Sequence, residues 1–539
     1  MNKIQPNSMN DVKAPQGRRM WFQDSRIHVL LLLIMAFTIT CVAKAHDVPD
    51  GSRLQTTEIP GPYAVGLRVV DQYDYSRRFR FSTDELGKPF RGERARPVQT
   101  LIWYPARKRN AASMTVADYI HLIATDARYD RLDAEREEAS LRKSMAQTLA
   151  DAMWAVRNLP MESGQYPLVI YAPGMDGDAW ENASLCEYLA SYGYVVIASP
   201  STALHGRFMD GEVAAANALA SDIIFLLNYA QRLTDIDRSE VAVVGYSYGG
   251  LAGFFAAARD NRVKALVEMD GTMRFVPALV KQAGDVHPEL MTIPLLFFGG
   301  VHRPDPAGDL KGEQGTDNFL YAWKHGAVTA AWMRQMKHGN FPSLNHQRTS
   351  ITPDADTHET EIIIERGWVA RYTLEFLDAH LRKDPGAMVF LKKTPEANGV
   401  PAPAMTMTFR PATGTVPTLE GFRAELGRQG FERADDIYAA MHQEYPNFKL
   451  EESRLLNAWV YSLMNYNHPT EALGLLKAYQ LACPNSREVY YLFGQAYEKA
   501  EQKPLAIESY NKALQIEPDF KQAQAKLMAL ESNPSPAKP

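Results

Sequence analysis

The sequence predicts an α/β chain: a doubly wound, mostly parallel sheet in its larger part, followed by a smaller all-α part. Three observations lead there. From Tyr63 to about Arg382, short β-branched runs alternate with helical stretches, the pattern of strands joined by crossover helices. Within that span, "VAVVGYSYGGLAGFFAAA" (residues 241–258) reads as buried strand, tight glycine turn and helix. After residue 419 strands disappear, and aromatic and small residues recur at a period of about 34.

Taken in order, the first 45 residues stand apart. Lys3, Lys13, Arg18, Arg19 and Arg26 precede an apolar run beginning Ile27-His-Val-Leu-Leu-Leu-Leu, and Ala43-Lys44-Ala45 has the small-residue cleavage pattern. This is the composition of a secretory signal peptide, implying a periplasmic or secreted protein. An uncleaved anchor is the alternative, since the run of about 17 apolar residues is near the short limit of a membrane span. With 58 Lys+Arg against 63 Asp+Glu over 539 residues the chain is mildly acidic, and removing the basic leader makes it more so. That gives nucleic acid no electrostatic footing. Three cysteines, one of them in the leader, exclude a disulfide framework; Cys186 in "SLCEYLASYGY" reads as a buried helix residue.

Strands are expected at Val65–Tyr73, Val98–Tyr104, Leu168–Ala172, Val195–Ser199, Val241–Gly245, Ala265–Asp270, Leu295–Gly299 and Ala330–Met336, with helices including Glu181–Ser191 and Ala214–Arg232. Between the second and third strands lies a helical insertion, residues 115–158. Its apolar positions Leu141, Met145, Leu149, Met153 and Val156 read as core, with a lid over the site as the alternative. The hydrolase-sized unit then covers 46–393. Residues 394–418, with five prolines, read as a linker. In 419–532, Tyr490, Phe493, Gly494, Tyr497, Ala506, Tyr510, Ala513 and Pro518 sit at the offsets of a tetratricopeptide repeat. Leu456, Trp459, Ala472, Leu476 and Pro484 give a second copy, and Ala434, Tyr438 and Pro446 a looser third. Such a stack offers a groove for a peptide or protein partner. Residues 533–539 read as a disordered tail.

The chemistry centres on Ser247 in Gly-Tyr-Ser-Tyr-Gly. A G-x-S-x-G match alone is weak, because chance supplies one in roughly a tenth of chains this long. The strand before it and the helix after it make it a nucleophile elbow. A serine hydroxyl needs a base, a carboxylate to orient that base, and amide donors for the oxyanion. The amide of Tyr248 is one donor. The amide of Met175, in "YPLVIYAPGMDGDAW" directly after the third strand, is the other. Asp176 and Asp178 beside it read as caps of the next helix rather than as metal ligands. In this strand order the histidine comes last, which selects His338 in "WMRQMKHGNFPSLNHQ", with His346 as the alternate. For the acid, the loop after the seventh strand nominates Asp305 in "FFGGVHRPDP". Asp270, ending "ALVEMDG", follows its apolar run directly and so should stand at the sheet edge beside the elbow; it is preferred, with Asp305 as the alternate.

These segments in their order, from "GPYAVGLRVV" and "VQTLIWYPA" through "VVGYSYGG" and "ALVEMDGTMRF" to "KHGNF", resemble the platelet-activating-factor acetylhydrolase group of α/β-hydrolases and the related dienelactone-hydrolase-like proteins. The resemblance spans about residues 61–381 and excludes the repeats. It implies an α/β-hydrolase sheet and a cofactor-independent, metal-independent serine esterase acting on short or oxidised acyl esters of a small molecule or lipid, with Asp270 as the acid. Pro173 stands where relatives often carry histidine, which bears on substrate preference more than on chemistry. Dienelactone hydrolases proper use a cysteine nucleophile, so Ser247 argues against that activity. Two rivals stay open: a peptidase or amidase on the same fold, and a repeat-mediated interaction protein with a vestigial hydrolase unit.

Overall fold

The computed structural model describes residues 57–301, 305–313, 318–344, 359–451 and 454–532. The leader, the alternate base His346 and the C-terminal tail lie outside these residues. The strands are β1 (Ala64–Val70), β2 (Tyr73–Arg78), β3 (Ala95–Pro97), β4 (Thr100–Ala106), β5 (Ala155–Arg157), β6 (Tyr166–Ala172), β7 (Val195–Ala198), β8 (Ile236–Tyr246), β9 (Val263–Met269), β10 (Leu295–Gly299), β11 (Val328–Met333) and β12 (Met405–Arg410). All but β2 and β3, which pair with each other, form one sheet in the order β12-β11-β10-β9-β8-β6-β7-β4-β1-β5.

From β7 to β11 every neighbouring pair is parallel, and β4 runs antiparallel between β1 and β7. This is the α/β-hydrolase arrangement. The central strands are buried on both faces, so they carry the near-continuous apolar runs that a parallel sheet requires. Alternate residues serve opposite faces: Val169, Tyr171, Ala242 and Val244 pack with the helices Ala183–Ser191 and Glu359–His380, whereas Leu168, Ile170, Val241 and Val243 pack with Val213–Ala230 and Tyr248–Arg259. Cys186 is a free, buried thiol on the first face.

All eight expected strands are present, Leu295–Gly299 as expected and the other seven with shifted ends, and three further features depart from expectation. The segment read as a linker contains β12, which pairs antiparallel along the whole of β11; its residues Met405-Thr-Met-Thr-Phe-Arg410 alternate as a strand covered on one face should, but the prolines flanking them masked the signal. The helical unit therefore begins beyond residue 410. Asp178 is not a helix cap: its carboxylate pairs with Arg128. The insertion is only partly helical, with helices at Val116–Ile120 and Arg131–Ser144 and a return to the sheet as β5 alongside β1. Its stripe is core, with Leu141, Met145 and Met153 at most 5% exposed in the first apolar cluster.

Beyond Thr418, which caps Leu419–Gln429, the helices Ala434–Glu444, Arg454–Asn465, Pro469–Ala482, Arg487–Lys499, Lys503–Ile516 and Lys521–Ser532 pack around apolar clusters of their own. Gly494 is needed for close approach: a Cβ there would strike the Tyr510 ring, whose hydroxyl bonds Glu498. This region meets the sheet unit where His325 faces Glu444 and His287 packs on Tyr445.

One buried carboxyl makes stability pH-dependent. Glu187 accepts from the Tyr119 hydroxyl at 2.6 Å and the Trp154 amide at 2.7 Å, and burial pushes it up to about 7. The folded protein thus keeps this proton to a higher pH than the unfolded chain. Its contribution is fully present below about pH 4.3, the ordinary glutamate value, and is lost as pH rises through 7. Glu187→Gln is expected to lose that dependence, so that the variant gains on the parent by on the order of 3 kcal/mol between pH 4 and 8. Denaturation curves at the two pH values that shift in parallel for both proteins would refute this.

Candidate active site

The site lies at the C-terminal ends of the parallel strands, where β6 and β8 lie side by side although β7 comes between them in sequence. Ser247 follows β8 directly and caps the helix Tyr248–Arg259 with φ 53° and ψ −118°. Such a backbone costs about 1–3 kcal/mol for a residue with a Cβ, and the surrounding fold must impose it. The imposition is visible: the Ser247 amide donates to Met269 O at 3.0 Å, and its carbonyl accepts from Gly250 at 3.1 Å and Thr272 at 3.0 Å. The elbow glycines supply space and not positive φ. A Cβ at Gly245 would meet Gly249 O at 2.6 Å, and one at Gly249 would overlap the carbonyls of Ala172 and Pro173.

His338 begins the turn after β11. Its Nε2 is 2.8 Å from Ser247 Oγ and its Nδ1 is 2.6 Å from Asp270 Oδ2. Asp270 directly follows β9, is fully buried, has φ 50°, and accepts from the Gly300 amide at 3.3 Å. Three segments far apart in sequence are thus joined in one hydrogen-bonded chain. The alternate acid Asp305 is occupied elsewhere: it caps Pro306–Leu310 through the Ala307 amide at 2.9 Å and accepts from Thr406 on β12 at 3.3 Å.

Tyr248 follows the serine in sequence, and Met175 follows Gly174 in the loop beside it. Tyr248 opens the helix, so its amide is at the positive end of the helix dipole. Gly174 is so close to the elbow that a Cβ on it would lie 2.9 Å from the Tyr246 ring and 3.6 Å from Ser247 Cβ. Glu181 holds this loop from below, accepting from the Gly174 amide at 2.8 Å and the Tyr171 hydroxyl at 2.9 Å. Met175 is 43% exposed, and its methyl lies against Gly211 in the loop after β7, which also carries the exposed Leu204 and Phe208.

Several supporting residues escaped the sequence reading. The Tyr246 hydroxyl donates to the His338 carbonyl at 3.0 Å, and its ring lies against the imidazole with centroids 5.0 Å apart. The Glu365 carboxylate accepts from three successive amides, Arg334, Gln335 and Met336, at 2.9–3.2 Å, pinning the strand end that delivers His338; burial pushes it up to about 7. Glu268 is buried beneath the elbow, with a carboxyl that a Cβ at Gly250 or Gly271 would overlap, and burial raises it well above the usual range. Tyr246 had a signal, as the residue before the serine. Glu365 and Glu268 had none, being single acids in a helix and a strand. Among the described residues no group of His, Cys, Asp and Glu could hold a metal ion.

Residues 128–276 match the Chlorophyllase family, a stretch that includes Met175, Ser247 and Asp270 but not His338. No curated protein matches the sequence. Among solved structures, the chain is similar to a ferulic acid esterase from Streptomyces cinnamoneus, with 20% identity and a TM-score of 0.46 over 64% of this chain and 96% of that one. By its sheet order, its elbow and the family match, the chain carries an esterase-type α/β-hydrolase domain, a carboxylic ester hydrolase.

Proposed function

We propose that the protein is a serine carboxyl-ester hydrolase acting on short-chain acyl esters through Ser247, His338 and Asp270. The observation that carries this reading is the continuous hydrogen-bonded chain from Asp270 through His338 to Ser247 Oγ. Ser247 Oγ adds to the acyl carbon while His338 Nε2 takes its proton. Asp270 keeps the other ring nitrogen protonated and offsets the imidazolium charge. The carbonyl oxygen becomes an oxyanion facing the amides of Tyr248 and Met175, donors aimed where charge develops. The C–O bond then breaks and His338 returns the proton to the leaving alkoxide. Water, deprotonated by His338, attacks the acyl-enzyme, and the acid leaves as Ser247 regains its proton. The exposed apolar side chain of Met175, beside Gly174 in the loop next to Ser247, suits the carbon portion of such an ester. The leader composition supports export, and the helical stack supports a peptide or protein partner.

Initial rates on p-nitrophenyl esters from acetyl to palmitoyl, beside the matching anilides, test the reading. Acetyl and butyryl esters are expected to turn over fastest and the anilides at least about 100-fold slower, since an amine leaves only when protonated during bond cleavage. Anilide turnover equal to ester turnover would make the protein an amidase, and fastest turnover at long chains would overturn the substrate class.

A further inference from the structure

One arginine of the insertion reaches into the active-site loop. We propose that Arg128 is a positioning residue that fixes the oxyanion side of the site, an inference that rests on the esterase reading above. Arg128 lies in the turn between the two helices of the insertion, and its side chain is 2% exposed. Its guanidinium makes three bonds to three segments: Nε to Asp126 Oδ2 at 2.7 Å, Nη2 to Asp178 Oδ1 at 3.0 Å and Nη1 to the Ser201 carbonyl at 3.1 Å.

The last two define the loop that carries Met175. Asp178 ends it, three residues after Met175. Ser201, in the loop after β7, returns to it twice, with its amide donating to Gly177 O at 2.9 Å and its hydroxyl to Pro173 O at 2.9 Å. Arg128 therefore closes a ring of bonds around residues 173–178, separate from those that Glu181 makes. The same segment braces the neighbouring loop: Arg207 stacks over Tyr129 at 4.3 Å and over Phe208 at 4.2 Å, and the Met209 amide donates to Asp176 at 2.7 Å.

A fork-shaped guanidinium suits this role, because it meets several acceptors at fixed angles and stays charged when buried. Burial adds stiffness. Moving the loop away would take the Asp178 carboxylate, itself out of water, from its cation, an outcome far costlier than breaking a surface ion pair. The insertion is thus core along its helix stripe and a strut for the site at its turn.

Asp178→Asn keeps the loop's volume and leaves Asp126 paired with Arg128; Arg128→Lys keeps the charge but loses the fork. Loss of an entire oxyanion donor costs about 10²–10³-fold in kcat, so a loosened one is expected to cost roughly 10–100-fold. KM for p-nitrophenyl acetate should stay within about 3-fold of the parent. Affinity for a trifluoromethyl ketone, whose serine adduct places an oxyanion at the same amides, should fall in parallel with kcat. A merely structural role would lower the thermal midpoint while leaving kcat and ketone affinity of the folded protein unchanged, and that result overturns the proposal. Should Arg128→Lys fail to fold, Asp178→Asn decides alone. Turnover surviving in Ser247→Ala would instead overturn the esterase reading, whatever the other two variants show.

Discussion

Ser247→Ala is expected to lower turnover of p-nitrophenyl acetate by about 10⁶-fold, because removing the nucleophile of such a unit costs about as much as removing the whole unit. The serine hydroxyl lies against His338 Nε2, at 2.8 Å. The same position predicts a change of opposite sign in stability. Ser247 has a φ of 53°, a conformation that glycine adopts without a Cβ penalty. Ser247→Gly should therefore be as inactive as the alanine variant yet more stable than the parent by about 1 kcal/mol. Initial rates, labelling by a fluorophosphonate and a thermal melt measure all three quantities. Residual turnover above about 1% with the label still attached would move the nucleophile to another residue.

Asp270→Asn is expected to cost about 10⁴-fold in kcat, and Asp305→Asn less than about 3-fold. The large loss follows from the tautomer: an amide that donates toward His338 Nδ1 forces the ring to carry its proton on Nε2, where the serine's proton must go. Asp270 is fully buried with Nδ1 at 2.6 Å, so an amide in its place is held against the ring. Asp305 caps a short helix and touches Thr406, and asparagine caps a helix about as well as aspartate. Circular dichroism should show all the variants folded. Equal losses at the two positions, or a larger loss at 305, would place the acid after β10 and dismantle the site described here.

The elements of the site differ in how much of each was legible beforehand. Ser247 was readable because an elbow is local: strand, glycine spacing and helix all lie within 18 residues of chain. His338 was readable because strand order constrains where the last loop can arrive. Asp270 and Asp305 were both acceptable in sequence, since each follows an apolar strand. Only the packing of β9 between β8 and β10 puts one of them beside the imidazole. The edge strand β12 was misread as a linker, because its pairing partner lies some 75 residues earlier along the chain and an edge strand needs no buried face on both sides.

What the sequence by itself determined was therefore the set of short-range devices: the alternation of strands and helices, the elbow, the histidine in the final turn and the helical period at the end. Their periodicity and turn chemistry are properties of neighbouring residues, and they read the same in any context. The tertiary structure decided which acid faces the histidine, that Glu365 pins the turn before it, that Glu268 is buried beneath the nucleophile, and that Arg128 reaches Asp178 across 50 residues. Each of these is a lone charged residue with no pattern around it. Such a residue acquires its place only when folding buries it and brings segments from elsewhere in the chain against it.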